Sequence, residues 1–180
     1  MRIIDEKFII RDLSLKDADD YYEYAKDPDV GPNAGWKPVP NIQVARQVLS
    51  GNIFSKDVFA IALRDSNKLI GTISLYNYGI RKYNKTKSLG FSLSKKYWNM
   101  GIMTKAVKLM IDYTFQKTDC EVLEVGHHVG NIGSKRVIEK NGFIYDGRLC
   151  KYKRLYDGRL IDADFYSMTR EDYERKKKYE

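Results

Sequence analysis

The order in which the hydrophobic rhythm changes along the chain most constrains what it can fold into. Phe8, Ile9 and Ile10 with Arg11 make a short strand-like run. Ser14, with Asp17 three residues later, then offers a capping-box start, and a first helix is expected to reach about Lys26. Asp27, Pro28 and Asp29 stop it, and residues 31–40, which hold three of the four prolines, are expected to be a loop carrying Trp36. A second helix is expected over residues 42–54, where Ile42, Ala45, Val48 and Leu49 recur at helical spacing. From there the period drops to that of strands, with residues 58–63 and 69–76 read as a hairpin around a turn at 65–68. A third strand spans 86–93, and a short turn leads to a helix running from Met103 or Thr104 to about Lys117, with Val107, Met110, Ile111 and Thr114 on its core stripe. Residues 121–128 form another strand, Asn131 caps a helix that stops at Asn141-Gly142, and strands over 143–152 and 160–168 close the pattern.

Two helices and then strands, followed by alternating helix and strand, imply an α/β (α+β) fold. The expectation is a mixed, mostly antiparallel central sheet of about six or seven strands flanked by helices. With 180 residues and no interdomain linker, one domain over 1–180 is expected. No apolar run approaches the roughly 18 residues of a membrane span, so no membrane partner is expected. The first seven residues carry no apolar signal core, and a cytoplasmic location is expected by default. Cys120 and Cys150 lack metal-ligand spacing, which predicts buried reduced thiols and no metal. The net charge of +8 suggests nucleic acid as one reading, but Arg175, Lys176, Lys177 and Lys178 contribute four of the basic charges as a solvated helix end. No nucleic-acid partner is expected; a phosphorylated cofactor would use the same field.

The chemistry begins at the turn Trp98, Asn99, Met100, Gly101, Ile102, Met103 and Thr104. A strand, a glycine turn and a helix start make an anion site, because the first helical amides point outward and the macrodipole favours negative charge. Lys95, Lys96, Lys105 and Lys108 are expected to add positive field. Alone this is ordinary turn chemistry, without the glycine density of nucleotide-binding loops. A second element some 30 residues on, Asn131 and Ser134 at the head of the segment ending in Asn141, Gly142 and Phe143, gives it meaning.

Together these two elements resemble the paired acyl-CoA motifs of the GNAT superfamily of N-acetyltransferases, in particular the branch of ribosomal-protein N-terminal (alanine/serine) acetyltransferases. Arg11, Asp12 and Leu13, Asp17 and Ala18, Trp36, the strand at Leu69, Ile70 and Gly71, and Gly158, Arg159, Asp162 and Ala163 extend the resemblance over nearly the whole chain. The family's turn pattern of Gln or Arg, two residues, Gly, one residue, Gly or Ala falls on Trp98, Gly101 and Met103, so that only the central glycine agrees strictly. The resemblance implies a splayed strand pair at the cleft, with pantetheine along Phe91, Ser92 and Leu93. It implies pyrophosphate on the amides of Asn99 to Thr104, pantetheine contact from Asn131, and Ser134 near the thioester sulfur. Acetyl-CoA is the expected acyl donor, attacked directly by a primary amine of unknown identity.

That reaction needs a proton acceptor for the amine, a donor for the oxyanion and an acid for the thiolate. An amide of the Phe91 to Leu93 strand is the expected oxyanion donor and Ser134 the expected acid. Members of the branch often carry Glu where Ser88 stands, so the base is sought elsewhere, in Glu124 or His128, which share one face of their strand, with His127 on the other face as a further candidate to relay a proton through water. Trp36 is the expected wall of the acceptor pocket. An acyl-CoA-binding module without turnover is the alternative, and exposed edge strands leave room for a homodimer.

Overall fold

The computed structural model describes residues 1–178. Its fold is mixed α/β, mostly antiparallel, with eight strands and six α-helices among the described residues. Two units divide the chain, Met1–Ser74 with Phe91–Ala106, and Leu75–Gly90 with the chain from Val107 onward.

In the first unit, β1 (Arg2–Ile4), β2 (Phe8–Asp12), β3 (Val58–Leu63) and β4 (Leu69–Tyr76, whose last two residues belong to the second unit) pair antiparallel in that order. The expected capping box is present: Ser14 accepts from Lys16 and Asp17 from Ser14 N–H, opening a 3-10 turn that leads into α1 (Ala18–Ala25). Arg11 holds this junction, donating to both Asp17 oxygens at 2.7 and 2.9 Å and to the Asn67 side chain at 2.8 Å. That binds strand, helix start and hairpin turn together with charge-assisted bonds. Asn41 caps α3 (Ile42–Ser55). The expected loop 31–40 contains a single helical turn, α2 (Gly31–Ala34), with proline at a first-turn position where its missing N–H costs no bond. Phe8, Ile10, Leu49, Ile61, Leu69, Ile70 and Ile73 are buried.

In the second unit the early part of β5 (Thr86–Leu93) pairs parallel with β6 (Val122–His128), which pairs antiparallel with β8 (Leu160–Thr169), and β8 with β7 (Ile144–Arg154). A parallel pair needs a long crossover, supplied by α4 (Ile102–Lys117). The β5–β6 ladder runs from Thr86↔Val122 to Leu89↔Val125 and so covers only the first half of β5. Met110, Leu123, Ile138 and Met168 are buried. Asn131 caps α5 (Ile132–Lys140), as expected, and Thr169 opens α6 (Arg170–Lys177) with a second capping box.

Several expectations need correction. The strands number eight rather than six or seven because three-residue β1 adds an edge strand too short to give a period. Cys120 is buried, but Cys150 is exposed, since β7 faces solvent along nearly its whole length. The basic run of α6 is not merely solvated: Lys176 Nζ donates to the carbonyls of Asn141 and Gly142, closing the end of α5. No helix is long and apolar enough to cross a membrane.

Candidate active site

The turn after β5 is built within the first unit. Lys95–Tyr97 form one 3-10 turn, and Trp98 leaves it in an extended conformation, its Nε1 donating to the Leu93 carbonyl at 2.8 Å. This indole therefore fixes the end of the strand to the turn. Asn99 and Gly101 are both left-handed, with φ of 60° and 76°. The Gly101 carbonyl then accepts the first i→i−4 bond, from Lys105 N–H at 3.1 Å, and α4 begins. The amides of Gly101, Ile102 and Met103 have no acceptor among the described residues. They head a helix of 16 residues, whose aligned peptides place roughly half a positive charge at that end. This is an anion-binding arrangement.

Three of the four lysines expected to add positive field do less than that. Lys95 pairs with Asp29, Lys96 with Glu23 at 2.6 Å and Lys105 with Asp5 at 3.4 Å, so acids of the same unit offset their charge. The backbone amides carry the electrostatics of the turn.

Of the predicted pantetheine strand, Phe91 and Ser92 are half-buried and Leu93 is buried. Ser92 Oγ lies 3.0 Å from Thr72 Oγ1 and 3.5 Å from Tyr24 OH, and Tyr24 OH donates to Thr72 at 3.4 Å. Burial pushes the Tyr24 phenol up, keeping its proton in place. This hydroxyl cluster escapes sequence reasoning because its members stand 20 to 68 residues apart. Ser94 N–H donates to the Ile70 carbonyl at 2.8 Å, so the strand end is held on both sides. Trp36, the predicted acceptor wall, lies half-buried with its ring against Gly31 and its amide bonded to the Gly31 carbonyl at 3.0 Å.

The second unit holds the other predicted residues. Asn131 Oδ1 accepts from Ser134 N–H at 3.1 Å, which orients the first turn of α5. The Ser134 side chain is half-buried, and its hydroxyl has no partner among the described residues. His128 is half-buried at the end of β6, opposite Ala163, and its carbonyl accepts from Asn131 N–H at 2.9 Å. The same carbonyl lies 2.9 Å from His127 Nδ1. A carbonyl only accepts, so Nδ1 is the donor of that contact, and Nε2 lies 3.4 Å from Tyr166 OH. Burial pushes the Tyr166 phenol up, and the neighbouring Glu139 and Asp164 act in the same direction. Asp164 itself is held below the usual carboxylate range by the two-pronged hydrogen bond from Arg148, at 2.7 and 3.0 Å.

Glu124 shares the face of His128 but not its surroundings. It is 1% exposed, and its carboxylate accepts from Ile80 N–H at 2.5 Å and the Arg81 guanidinium at 3.0 Å. Among the described residues, no group of three or more His, Cys, Asp or Glu is placed to hold a metal ion.

Comparison with known proteins places the chain in a family. The profile of the acetyltransferase (GNAT) domain family matches residues 7–144. The N-acetyltransferase p20 of Bacillus licheniformis is 27% identical over 93% of this chain and 96% of its own. The ribosomal-protein-serine acetyltransferase of Escherichia coli is 29% identical over 68% of each chain. Among solved structures, a GNAT-family acetyltransferase from Bacillus anthracis superposes with a TM-score of 0.84 at 24% identity, over 95% of this chain and 99% of that one, and so shares its fold. With a profile match over most of its length and N-acetyltransferases among its relatives, the chain belongs to the GNAT acetyltransferase family and is an acetyltransferase.

Proposed function

We propose that this acetyltransferase takes its acetyl group from acetyl-CoA and transfers it to a primary amine by direct attack. The observation that carries the reading is the turn before α4, where left-handed Asn99 and Gly101 leave the amides of Gly101, Ile102 and Met103 unpaired at the head of a long helix. Three convergent N–H groups suit a pyrophosphate, the anionic part of coenzyme A. Asn99, Met100 and Thr104 complete the turn, and Trp98 fixes it to the strand. Phe91, Ser92 and Leu93 offer backbone to the pantetheine amides, one of their N–H groups serving the oxyanion.

On the second unit, Asn131 holds the start of α5 so that the Ser134 hydroxyl, which has no protein partner among the described residues, protonates the departing thiolate. His128 is our proton acceptor for the amine, because an imidazole nitrogen can take a proton and this one stands half-buried at a strand end. Trp36 is the proposed acceptor-side wall. The Escherichia coli relative is named for a serine of a ribosomal protein, which makes peptides with a free N-terminal amine the first acceptors to assay. Calorimetric titration with acetyl-CoA tests the reading: one molecule bound per chain supports it, and no heat of binding across the titration would sink it.

A further inference from the structure

A carboxylate taken out of water, as Glu124 is, has to be compensated by donors aimed at it. Its Oε1 accepts from Ile80 N–H at 2.5 Å, and its Oε2 from the Arg81 guanidinium at 3.0 Å and the Arg81 amide at 3.5 Å. The other arm of that guanidinium donates to Asp146 Oδ2 at 3.0 Å and to Ser167 Oγ at 3.3 Å, while Ser167 donates to Asp146 Oδ1 at 2.9 Å. Gly79 passes so close over the carboxylate that a Cβ there would overlap Glu124 Oε1. Residues 79–81, the middle of the connection from β4 to β5, are therefore fastened to β6, and through Arg81 to β7 and β8. Glu124 pairs with Ser88 at the rung before the β5–β6 ladder ends, which puts the fastening beside the point where pairing stops.

We propose that Glu124 is a positioning residue which, with Arg81 and Asp146, holds the 77–85 connection as a wall for the incoming amine, and that it takes no proton from that amine. This rests on the amine-acetylation reading above. A base needs a lone pair within reach of the substrate. Both Glu124 oxygens instead face donors of the connection. What the clamp presents outward is aromatic: Tyr78 is 67% and Tyr83 51% exposed, and the Tyr78 ring lies 5.1 Å from that of Tyr76. Such a surface suits the chain that carries the amine rather than the amine itself.

The test pairs amide hydrogen exchange of the full chain with steady-state kinetics, for Glu124→Gln and Arg81→Met. Exchange at Ile80 and Arg81 is expected to accelerate about tenfold or more in both variants, as local opening becomes easier. The KM for a peptide acceptor should rise in both while the KM for acetyl-CoA and the acidic limb of the pH–rate profile stay in place. Loss of kcat and of that limb in Glu124→Gln, with acceptor KM unchanged in Arg81→Met, would make Glu124 the base and overturn the proposal. Unchanged exchange in both variants overturns it equally. If Glu124→Gln does not fold, Asp146→Asn, which loosens Arg81 from its outer side, carries the same readouts. If acetyl-CoA does not bind, the transfer reading fails by itself, and exchange still reports whether the clamp exists.

Discussion

Gly101 matters through its dihedral rather than through space. A Cβ built there meets nothing within 4 Å, yet φ is 76°, where β-branched residues are rarely found. Gly101→Val should therefore leave the protein folded with a small loss of stability, on the order of 1–3 kcal/mol, or else rotate the turn and misdirect its amides. Either way, acetyl-CoA affinity in a calorimetric titration is expected to fall at least about tenfold, and an unaltered dissociation constant would remove the turn from the cofactor site. Ser134→Ala deletes a hydroxyl without disturbing the amide that Asn131 caps, so kcat should drop about tenfold or more, as loss of a general acid predicts. Acetyl-CoA affinity should hold, and an unchanged kcat would contradict the acid role. The positions that sequence reveals are those whose chemistry is local, such as a glycine opening a helix or an Asn capping the amide three residues on. The Arg81 partner of Glu124 lies 43 residues away, a distance no motif spans.

Elements repeat this division between local and distant causes. The helix starts at Ser14 and Asn131 are legible because a cap is satisfied by its own backbone. Three-residue β1 is too short to show a period, and the turn of α2 hides among residues that ordinarily signal loops. The end of α4 falls at Lys117, where the sequence places it, but the side chain that holds it there is distant. Arg170, at the start of α6, donates to the carbonyls of Phe115, Thr118 and Cys120 at 2.8, 2.9 and 2.7 Å, satisfying acceptors left open where α4 stops. Arg170→Ala should cost about 2–3 kcal/mol, in line with loss of hydrogen bonds from a charged donor. Urea unfolding monitored by circular dichroism measures this; a midpoint equal to the parent's would show that solvent replaces those bonds freely.

At the scale of the whole molecule, the resemblance over nearly the full chain and the family match over residues 7–144 agree because the family's motifs fall in strand–turn–helix segments whose periods survive in a single sequence. The charge balance has its own consequence. Hydrogen bonds from Lys68 and then Lys96 hold Glu23 down to about 2, and the bond from Arg148 holds Asp164 below its usual range. A lowered value in the folded chain means that the unfolded chain takes up the proton first. The stabilisation is thus complete above the unfolded pKa of about 4 and disappears as pH falls through the folded values. Stability should therefore decline from about pH 4.5 towards pH 2, with the Glu23 share reduced in high salt because that pair is partly exposed. Asp164→Asn should be less stable than the parent at pH 7 and lose less on acidification. Acid limbs that run parallel in the two proteins would contradict the assignment.

The central claim is that this fold moves an acetyl group from coenzyme A to an amine. Its most direct test is the release of free coenzyme A thiol from acetyl-CoA, followed with and without peptides bearing an unblocked N-terminal amine and with small primary amines. Thiol release should depend on the amine, match acetylated product one for one, and be lost in Gly101→Val. Thiol release at the same rate with or without any amine, or none at all from a chain that binds acetyl-CoA, would contradict it.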